Sequence, residues 1–290
     1  MTIPTEILAK TLLASVRQPD TWFGLKYNMN LYRGCQHQCI YCDSRSECYQ
    51  IEDFAEIQIK VNALEKLLQE IRRKRVKGTI GTGSMNDPYM PIEAERRLTR
   101  GALQVIAAAK FPVHIITKSD LVLRDLDILK EISQVYAAVS FTITSADDVL
   151  AKKLEPGAPV SSRRFAALKT LAENSITTGV TMMPILPFIE DSDKNIRTLV
   201  QMAGEAGATY ILPGFGLTLR DRQREYFYTK LDRLFPGLRE QYQRRYGNRY
   251  WAESPRAARL AEILKQECAR LGIATKMPFY QPENKQLQMF

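Results

Sequence analysis

The sequence predicts an α/β protein built as an incomplete (β/α)6 barrel with a C-terminal helical extension. Short strand-like runs alternate with amphipathic helical segments from Tyr27 onward, and the connections between them are short. Six units of this kind fit an incomplete barrel better than a closed eight-stranded barrel or an open doubly wound sheet. At 290 residues, the chain is long enough for one such domain with appendages.

The six strand candidates include several β-branched runs that end at Gly or Pro. They are Tyr27–Tyr32, Gly78–Gly83, Val113–Lys118, Val135–Ile143, Ile176–Ile185 and Ala208–Pro213. In barrels of parallel strands, active sites lie at the carboxyl ends of the strands. The residues that end these strands are therefore the first candidates for functional side chains.

Helical segments follow the strands. They are Val61–Val76, Ile92–Lys110, Val122–Ser133, Ser161–Asn174, Asp191–Ala206 and Asp221–Leu234. Another helix is predicted near the C-terminus, with Ser254 as its N-cap, Pro255 in its first position and Gly272 after its last turn. Cys268 lies on the apolar face of that helix and is predicted to be a core residue.

We expect an N-terminal extension over residues 1–22, the partial barrel over residues 23–219, and a C-terminal extension over residues 220–290 that covers the barrel mouth. No apolar run approaches the roughly 18 residues needed to cross a bilayer, and nothing resembles a secretory signal. A cytoplasmic protein without a membrane partner is therefore expected. The formal charge of +9 permits polyanionic partners such as DNA or RNA.

Three of the five cysteines lie close together, directly after the first strand candidate. Cys35, Cys39 and Cys42 have the spacing C-x3-C-x2-C. Three thiolates at this spacing can hold a cubane iron–sulfur cluster and leave one iron without a protein ligand, whereas electron-transfer clusters normally have four cysteine ligands. An iron with an open position indicates chemistry at the cluster.

Two other interpretations of the cysteine loop stay open. A tetrahedral zinc site would add His37 or Cys48 as a fourth ligand. His37 lies awkwardly between the first two cysteines, and the sequence contains no second C-x2-C or H-x3-H pair. A disulfide framework is disfavoured, because the cysteines are clustered and thiols of intracellular enzymes stay reduced.

The loop resembles the hallmark of the radical S-adenosylmethionine (SAM) superfamily, C-x3-C-x-aromatic-C, with Tyr41 in the aromatic position. More narrowly, the chain resembles the spore photoproduct lyase family from about Trp22 to Pro187. The further motifs that carry this resemblance are Asn30-x-Tyr-x-Gly, Asn86-Asp-Pro-Tyr-x-Pro-Ile-Glu93, Thr117-Lys118, Phe141-Thr-Ile-Thr and Leu154-Glu-Pro-Gly, with Arg163 downstream.

The resemblance implies a [4Fe–4S] cluster on the three loop cysteines, with SAM bound to the open iron through its amino and carboxylate groups. Members reduce SAM to methionine and a 5′-deoxyadenosyl radical, which abstracts a substrate hydrogen. A flavodoxin- or ferredoxin-type reductant would supply the electron. The residues implied in SAM binding are Tyr41, Asn86, Lys118, Thr142 and Arg163.

Three further residues are candidates for catalysis. Ser84 takes the place of the cysteine that, in spore photoproduct lyases, returns a hydrogen atom to the product. Because a hydroxyl O–H bond is too strong for that step, the resemblance leaves a tyrosine donor or regeneration of SAM by the product radical. Asp87 and Glu93 form a carboxylate pair that suits acid/base work, although Glu93 suits the start of a helix equally well.

The segment from Arg220 to Trp251 interleaves arginines with aromatic residues. Such a mixture suits a single nucleic-acid strand or a flipped base, but it also suits helices that pack their rings on the barrel. The leading hypothesis is a radical SAM enzyme acting on a nucleic acid or another base-containing substrate. The alternatives are radical modification of a peptide or small metabolite, and a non-enzymatic iron–sulfur or zinc module.

Overall fold

The structure of the protein, a computed structural model, describes residues 4–18 and 20–282. Of the expected terminal extensions, residues 1–3, residue 19 and residues 283–290 lie outside the described residues. The described strands are β1 (Thr5–Ile7), β2 (Leu13–Ser15), β3 (Leu25–Met29), β4 (Tyr32–Arg33), β5 (Gln58–Lys60), β6 (Thr79–Thr82), β7 (Val113–Thr117), β8 (Ala137–Thr142), β9 (Thr177–Met182), β10 (Tyr210–Pro213), β11 (Gly216–Thr218) and β12 (Trp251–Glu253).

Ten α-helices lie within the described residues. They are α1 (Ala63–Arg72), α2 (Glu93–Arg96), α3 (Leu98–Ala108), α4 (Leu126–Ser133), α5 (Asp148–Leu154), α6 (Ser161–Glu173), α7 (Asp193–Glu205), α8 (Asp221–Leu234), α9 (Leu238–Tyr246) and α10 (Ala257–Leu271). Short 3-10 helices cover Asp43–Arg45, Glu47–Tyr49 and Asp120–Asp125. None of the described helices is long and apolar enough to cross a membrane.

The main sheet confirms the predicted fold class. Strands β3, β6, β7, β8, β9 and β10 lie parallel and side by side in chain order, and β2 pairs antiparallel with β3 at one edge. Strand residues such as Val113 and Val139 are fully buried in one apolar core with Leu129 of α4 and Leu168 of α6. The carboxyl ends of the six parallel strands therefore meet on one side of the sheet.

The predicted element boundaries differ from the structure at several points. The first predicted strand is divided, because β4 leaves the main sheet and pairs with β5, which also pairs with β1. The helix predicted over residues 92–110 is interrupted at Arg97, whose φ of 51° is left-handed. Helix α10 begins at Ala257 rather than Pro255, because the Ser254 hydroxyl accepts the Arg256 backbone N–H in a turn that precedes the helix.

The C-terminal helices α8 and α9 bury most of their rings against the barrel. Phe227, Tyr228, Tyr242 and Tyr246 form an apolar cluster with Leu186 and other residues, which confirms the packing interpretation for these four rings. Cys268 is 1% exposed in the main core, as predicted for a structural residue.

Candidate active site

The cysteine loop follows β4 and opens onto a cavity at the carboxyl ends of the parallel strands. Gly34 precedes the first cysteine with a φ of 76°, and a Cβ atom there would lie 2.5 Å from the carbonyl oxygen of Glu56. Only glycine therefore fits this position. Cys35, Cys39 and Cys42 all line the same cavity, whose volume is about 520 Å³.

The three thiols are free and largely desolvated. Burial raises the pKa of each of them, and the pKa of Cys35 reaches about 12. For Cys39, the nearby ammonium group of Lys118 opposes this effect of burial. Desolvated thiols stay protonated unless a cationic centre stabilises the thiolates, and coordination to a metal centre does so.

Three sulfur ligands that face one space fit an iron–sulfur cluster with three protein ligands and one open position. Within the described part of the chain, no group of three or more His, Cys, Asp or Glu side chains is arranged to hold a single metal ion.

The segment after α5 lies directly against the cysteine loop. The carbonyl oxygen of Leu154 accepts the backbone N–H of Ile40 at 2.9 Å, and the N–H of Gly157 donates to the carbonyl oxygen of His37 at 2.9 Å. A Cβ atom at position 157 would lie 2.0 Å from the carbonyl oxygen of Gln36. The Leu154-Glu-Pro-Gly motif thus supports the loop that carries the cysteines.

Glu155 of this motif connects three groups around the cavity. Its carboxylate accepts a hydrogen bond from the Tyr41 hydroxyl, lies 2.5 Å from Nη2 of Arg164 and lies 3.8 Å from Nζ of Lys118. Burial raises the pKa of the Glu155 carboxyl, but Arg164 and Lys118 outweigh burial and hold that pKa below its usual value. The carboxylate is therefore ionised and balances two cationic side chains.

Lys118 directly follows β7 and lines the cavity. Burial lowers the pKa of its ammonium group, but Cys39 and Glu155 have the larger combined effect, and the pKa is raised. The ammonium group also lies 5.8 Å from the centre of the Tyr41 ring. Lys118 therefore presents a positive charge at the end of its strand.

Of the other predicted SAM contacts, Asn86 and Thr142 lie at the cavity and Arg163 does not. Asn86 and Thr142 line the cavity with Tyr41 and Lys118. The side-chain amide of Asn86 donates to the Tyr32 carbonyl at 2.6 Å, and the Thr142 hydroxyl lies 2.9 Å from that of Thr181.

Arg163 lies outside the cavity, where its exposed guanidinium pairs with Asp120 at 2.5 Å. The neighbouring Arg164 is instead the buried arginine of this helix: its side chain donates to the Thr142 carbonyl at 2.8 Å and pairs with Glu155. Neither arginine lines the cavity, but Arg164, and not the predicted Arg163, contacts the site through Glu155 and the Thr142 carbonyl.

Two of the three predicted catalytic residues line the cavity. Ser84 is exposed there, and its hydroxyl accepts a hydrogen bond from the Asn28 side chain at 3.0 Å. Asp87 accepts the Thr117 hydroxyl at 2.7 Å and the Lys118 backbone N–H at 2.6 Å, and its Oδ2 lies 3.3 Å from Nδ1 of His37. Although burial raises the pKa of Asp87, His37 and these hydrogen bonds lower it to about 2.

Glu93, the third predicted catalytic residue, is fully buried and does not line the cavity. It accepts hydrogen bonds from the Tyr32 hydroxyl and the Thr99 backbone N–H, and pairs with Arg124 at 2.7 Å. These contacts join β4 to the start of α3. Glu93 is therefore placed to support the start of a helix and not for acid/base catalysis in the cavity.

Some residues at the site were not predicted from the sequence to lie there. Glu155 does not line the cavity but contacts Tyr41 and Lys118, and it could have been predicted, because it stands within a motif that carries the family resemblance. Trp22, and Trp251 of the arginine- and aromatic-rich segment, both line the cavity, although they are far apart in the sequence. No local pattern brings those two positions together, so only the fold could show it.

The family model of the radical SAM superfamily matches residues 29–200. An uncharacterized protein of Mycobacterium tuberculosis strain H37Rv is 31% identical over 249 residues, which cover 83% of this chain and 73% of that protein. An uncharacterized protein of Methanocaldococcus jannaschii is 39% identical over 168 residues, which cover 58% and 63% of the two chains. A protein of Pseudomonas phage M6 named radical SAM Nα-GlyT isomerase is 23% identical over 181 residues, or 62% and 37% of the chains.

The fold also matches solved structures of spore photoproduct lyase. For that enzyme complexed with dinucleoside spore photoproduct, the TM-score is 0.69 at 18% identity, covering 93% of this chain and 80% of the lyase. The superfamily model implies SAM and a [4Fe–4S] cluster. The match to the superfamily model and the identity shared with the mycobacterial protein show that this chain belongs to the radical SAM superfamily of enzymes.

Proposed function

We propose that this enzyme abstracts a hydrogen atom from a nucleic acid or another base-containing substrate. The observation that carries the proposal is the set of residues around one cavity. Three cysteines with the spacing of a cluster-binding loop share that cavity with Lys118, Asn86 and Thr142 at the ends of neighbouring strands.

When bound, the cluster would supply the one-electron reduction of SAM, with the electron coming from a flavodoxin- or ferredoxin-type reductant, and cleavage of the C5′–S bond of SAM would give methionine and the 5′-deoxyadenosyl radical that abstracts a substrate hydrogen atom. Cys35, Cys39 and Cys42 would hold the cluster. Lys118 would pair with the carboxylate of SAM, because a charge-assisted hydrogen bond is strong in a partly desolvated cavity. Asn86 and Thr142 would bind the polar groups of SAM.

Glu155 would keep this site electrically balanced. Its carboxylate compensates Arg164 and Lys118 and accepts the hydroxyl of Tyr41, which fixes the Tyr41 ring in the cavity wall. A ring held in this way offers a rigid surface to the adenine group of SAM. Asp87, with a pKa of about 2, stays ionised and joins the end of β7 to the cysteine loop through Thr117 and His37.

The proposal includes the fate of the hydrogen atom. Among the described residues that line the cavity, there is no thiol beyond the three loop cysteines, and Tyr41 is the one tyrosine. The Tyr41 hydroxyl is already bound to Glu155. This supports a route without a cysteine donor at position 84, in which the product radical would take a hydrogen atom back from 5′-deoxyadenosine. The 5′-deoxyadenosyl radical would then re-form the C5′–S bond with methionine, one electron would return to the cluster, and SAM would be regenerated.

We also propose that the C-terminal extension expected over residues 220–290 covers the cavity mouth with its described part, residues 220–282. At the start of α8, Arg222 donates to the Ile51 carbonyl at 2.5 Å, Gln223 donates to the Tyr41 carbonyl at 3.2 Å, and Asp221 accepts the Ser46 hydroxyl at 2.9 Å. These contacts tie the extension to the segment that carries the cysteines.

The chemistry of the cavity rim supports a base-containing substrate. Trp22, Phe23, Leu217 and Trp251 line the cavity and provide apolar and aromatic surface for a planar ring. The net charge of +9 favours a polyanion. The solved structures of spore photoproduct lyase, which has the same fold at 18% identity, include a complex with dinucleoside spore photoproduct.

The test has two stages. The anaerobically reconstituted enzyme, supplied with reductant and SAM, should release 5′-deoxyadenosine and methionine. Binding of labelled DNA and RNA oligonucleotides is then measured over a range of salt concentrations, and affinity should fall steeply as salt rises. Release of 5′-deoxyadenosine without any salt-sensitive nucleic-acid binding would favour a peptide or metabolite substrate instead.

A further inference from the structure

A second groove, of about 640 Å³, lies beside the catalytic cavity. It is lined by residues of α9, β12 and the start of α10, together with Phe215. Trp251 lines both this groove and the catalytic cavity. The two spaces therefore share one residue and are neighbours at Trp251.

Two arginines in this groove have no ion-pair or hydrogen-bond partner for their side chains among residues 4–18 and 20–282. Arg245 and Arg249 are exposed, and in the described part of the chain neither guanidinium makes an ion pair or a hydrogen bond. Among the other exposed arginines, Arg256 and Arg259 pair with Asp193, whereas Arg233 and Arg244 likewise make no ion pair or side-chain hydrogen bond with the described residues, so the position of Arg245 and Arg249 in the groove is what distinguishes them. The groove thus offers two unneutralised guanidinium groups, whose planar donor arrays match the oxygens of a phosphate group.

The groove also has an exposed aromatic surface at its inner end. The chain has two tryptophans, Trp22 and Trp251, and both lie at the cavity, 46% and 44% exposed. Large exposed rings at a cavity rim are characteristic of binding surfaces. Nucleobases of any identity can stack on such rings.

We propose that this groove binds the single-stranded segment of nucleic acid adjoining the nucleotide that enters the cavity. The inference rests on the proposed function and adds a site to it. Phosphates of the segment contact Arg245 and Arg249, and an unpaired base stacks on Trp251. A single strand is favoured over a duplex, because a base that is stacked on a side chain must have left its own stack.

Glu253 also lines the groove, and its carboxylate would repel a phosphate. The proposal therefore predicts that loss of this negative charge strengthens binding, whereas loss of the arginine charges weakens it. The Glu253→Gln variant should bind a single strand more tightly than the wild type does. An acidic peptide would respond to the same charge changes. An acidic peptide would gain little affinity from contact with the indole ring, so substitution of Trp251 distinguishes a single-stranded nucleic acid from an acidic peptide.

The experiment measures the affinity of a fluorescent single-stranded oligodeoxynucleotide for the full chain by anisotropy between low and moderate salt. The test variant is the double change Arg245→Gln and Arg249→Gln. The matched control is Arg233→Gln with Arg244→Gln, which removes the same charge from two exposed arginines outside the groove. The groove variant should lower the salt slope by about 1 to 1.5, since each phosphate contact on a single strand contributes about 0.7. The control should keep the wild-type slope nearly unchanged.

The aromatic contact is tested with Trp251→Ala and Trp251→Phe in the same assay. Trp251→Ala should weaken binding of the single strand by roughly 5- to 150-fold, the range for loss of one base–aromatic stack. Trp251→Phe should recover most of that loss, because it keeps a ring. Poly-glutamate as competitor should displace the oligonucleotide poorly from the wild type.

The outcomes separate this inference from the proposed function. If the wild type binds single strands but the groove variant and its control lose affinity equally, the groove is not the site, while the nucleic-acid substrate stands. Equal binding by Trp251→Ala and the wild type would also overturn the inference. If the wild type binds no nucleic acid, or if poly-glutamate competes as well as the oligonucleotide does, the nucleic-acid part of the proposed function fails together with the groove.

Discussion

The contact between Gly157 and the cysteine loop predicts that Gly157→Ala will impair cluster binding without unfolding the barrel. In the alanine variant, the Cβ atom would lie 2.0 Å from the carbonyl oxygen of Gln36 and 2.9 Å from Cα of His37. Both are backbone atoms, and Cβ contacts in proteins are essentially never shorter than 3.0 Å. One of the two segments must therefore move by about 1 Å, the difference between 3.0 and 2.0 Å.

The energetic size of this change follows from two contributions. Overpacking of this kind costs about 1–3 kcal/mol. The hydrogen bond from the Gly157 N–H to the His37 carbonyl contributes about 1 kcal/mol more if the shift breaks it. A total of about 2–4 kcal/mol, applied to the cysteine loop, corresponds to a decrease in cluster affinity of roughly 30- to 1000-fold.

The assay is iron and sulfide content after anaerobic reconstitution, followed by the rate of iron loss to a chelator. Gly204→Ala is the control, because that residue lies in α7 and its Cβ would be 3.0 Å from the flexible end of the Leu271 side chain. Alanine also favours a helix. Gly157→Ala should lose iron much faster than both the control and the wild type. Wild-type iron retention in Gly157→Ala would refute the claim that residues 154–157 position the cysteine loop.

Three further predictions concern charged and polar groups around the cavity. Glu155→Gln leaves the Arg164 guanidinium buried without its carboxylate partner, so the free energy of unfolding, measured with denaturant, should fall by about 3–5 kcal/mol; no change would contradict the role of this pair. Glu190 does not line the cavity; it is buried, and its carboxylate accepts the backbone N–H of Leu186 at 3.1 Å. Burial raises the pKa of Glu190 to about 8 from an ordinary value of 4.5, so the folded state holds an extra proton between these values. Stability should therefore fall as pH rises through this window, and Glu190→Gln should flatten that slope in thermal melts at several pH values; an unchanged slope would exclude Glu190 as its source. Lys118→Ala and Asn86→Ala should each weaken SAM binding roughly tenfold or more by calorimetry while iron content stays at the wild-type level; unchanged SAM affinity in both would remove them from the SAM site.

Much of the architecture follows from local patterns in the sequence. The parallel strands were predictable because several of them are β-branched runs that end at Gly or Pro and alternate with helical segments, and α8 has the predicted bounds Asp221–Leu234. The small sheet β1–β5–β4 and the pair β11–β12 were not predicted. Their strands are two or three residues long and depend on partners far away in the chain, so they carry almost no periodic signal.

Some residues of the site were likewise predictable from the sequence, and others were not. The family resemblance brings Lys118, Asn86 and Thr142 into consideration, because the motifs that carry it are local and lie at the ends of predicted strands. Arg164 is buried and Arg163 is exposed, because α6 buries only one of its faces. Two adjacent arginines in a sequence do not indicate which of them the fold will bury. Trp251 reaches the cavity through the pairing of β12 with β11, a contact that no short motif encodes.

The central claim is that Cys35, Cys39 and Cys42 hold a cluster that cleaves SAM. The most direct test is anaerobic reconstitution of the wild type and of five single cysteine-to-alanine variants, with iron, sulfide and 5′-deoxyadenosine measured on each. The wild type should hold about four iron and four sulfide per chain and release 5′-deoxyadenosine on addition of reductant and SAM. The three loop variants should lose both properties, and Cys48→Ala and Cys268→Ala should retain them. One zinc and no sulfide per chain, or loss of the cluster in Cys48→Ala, would contradict the account.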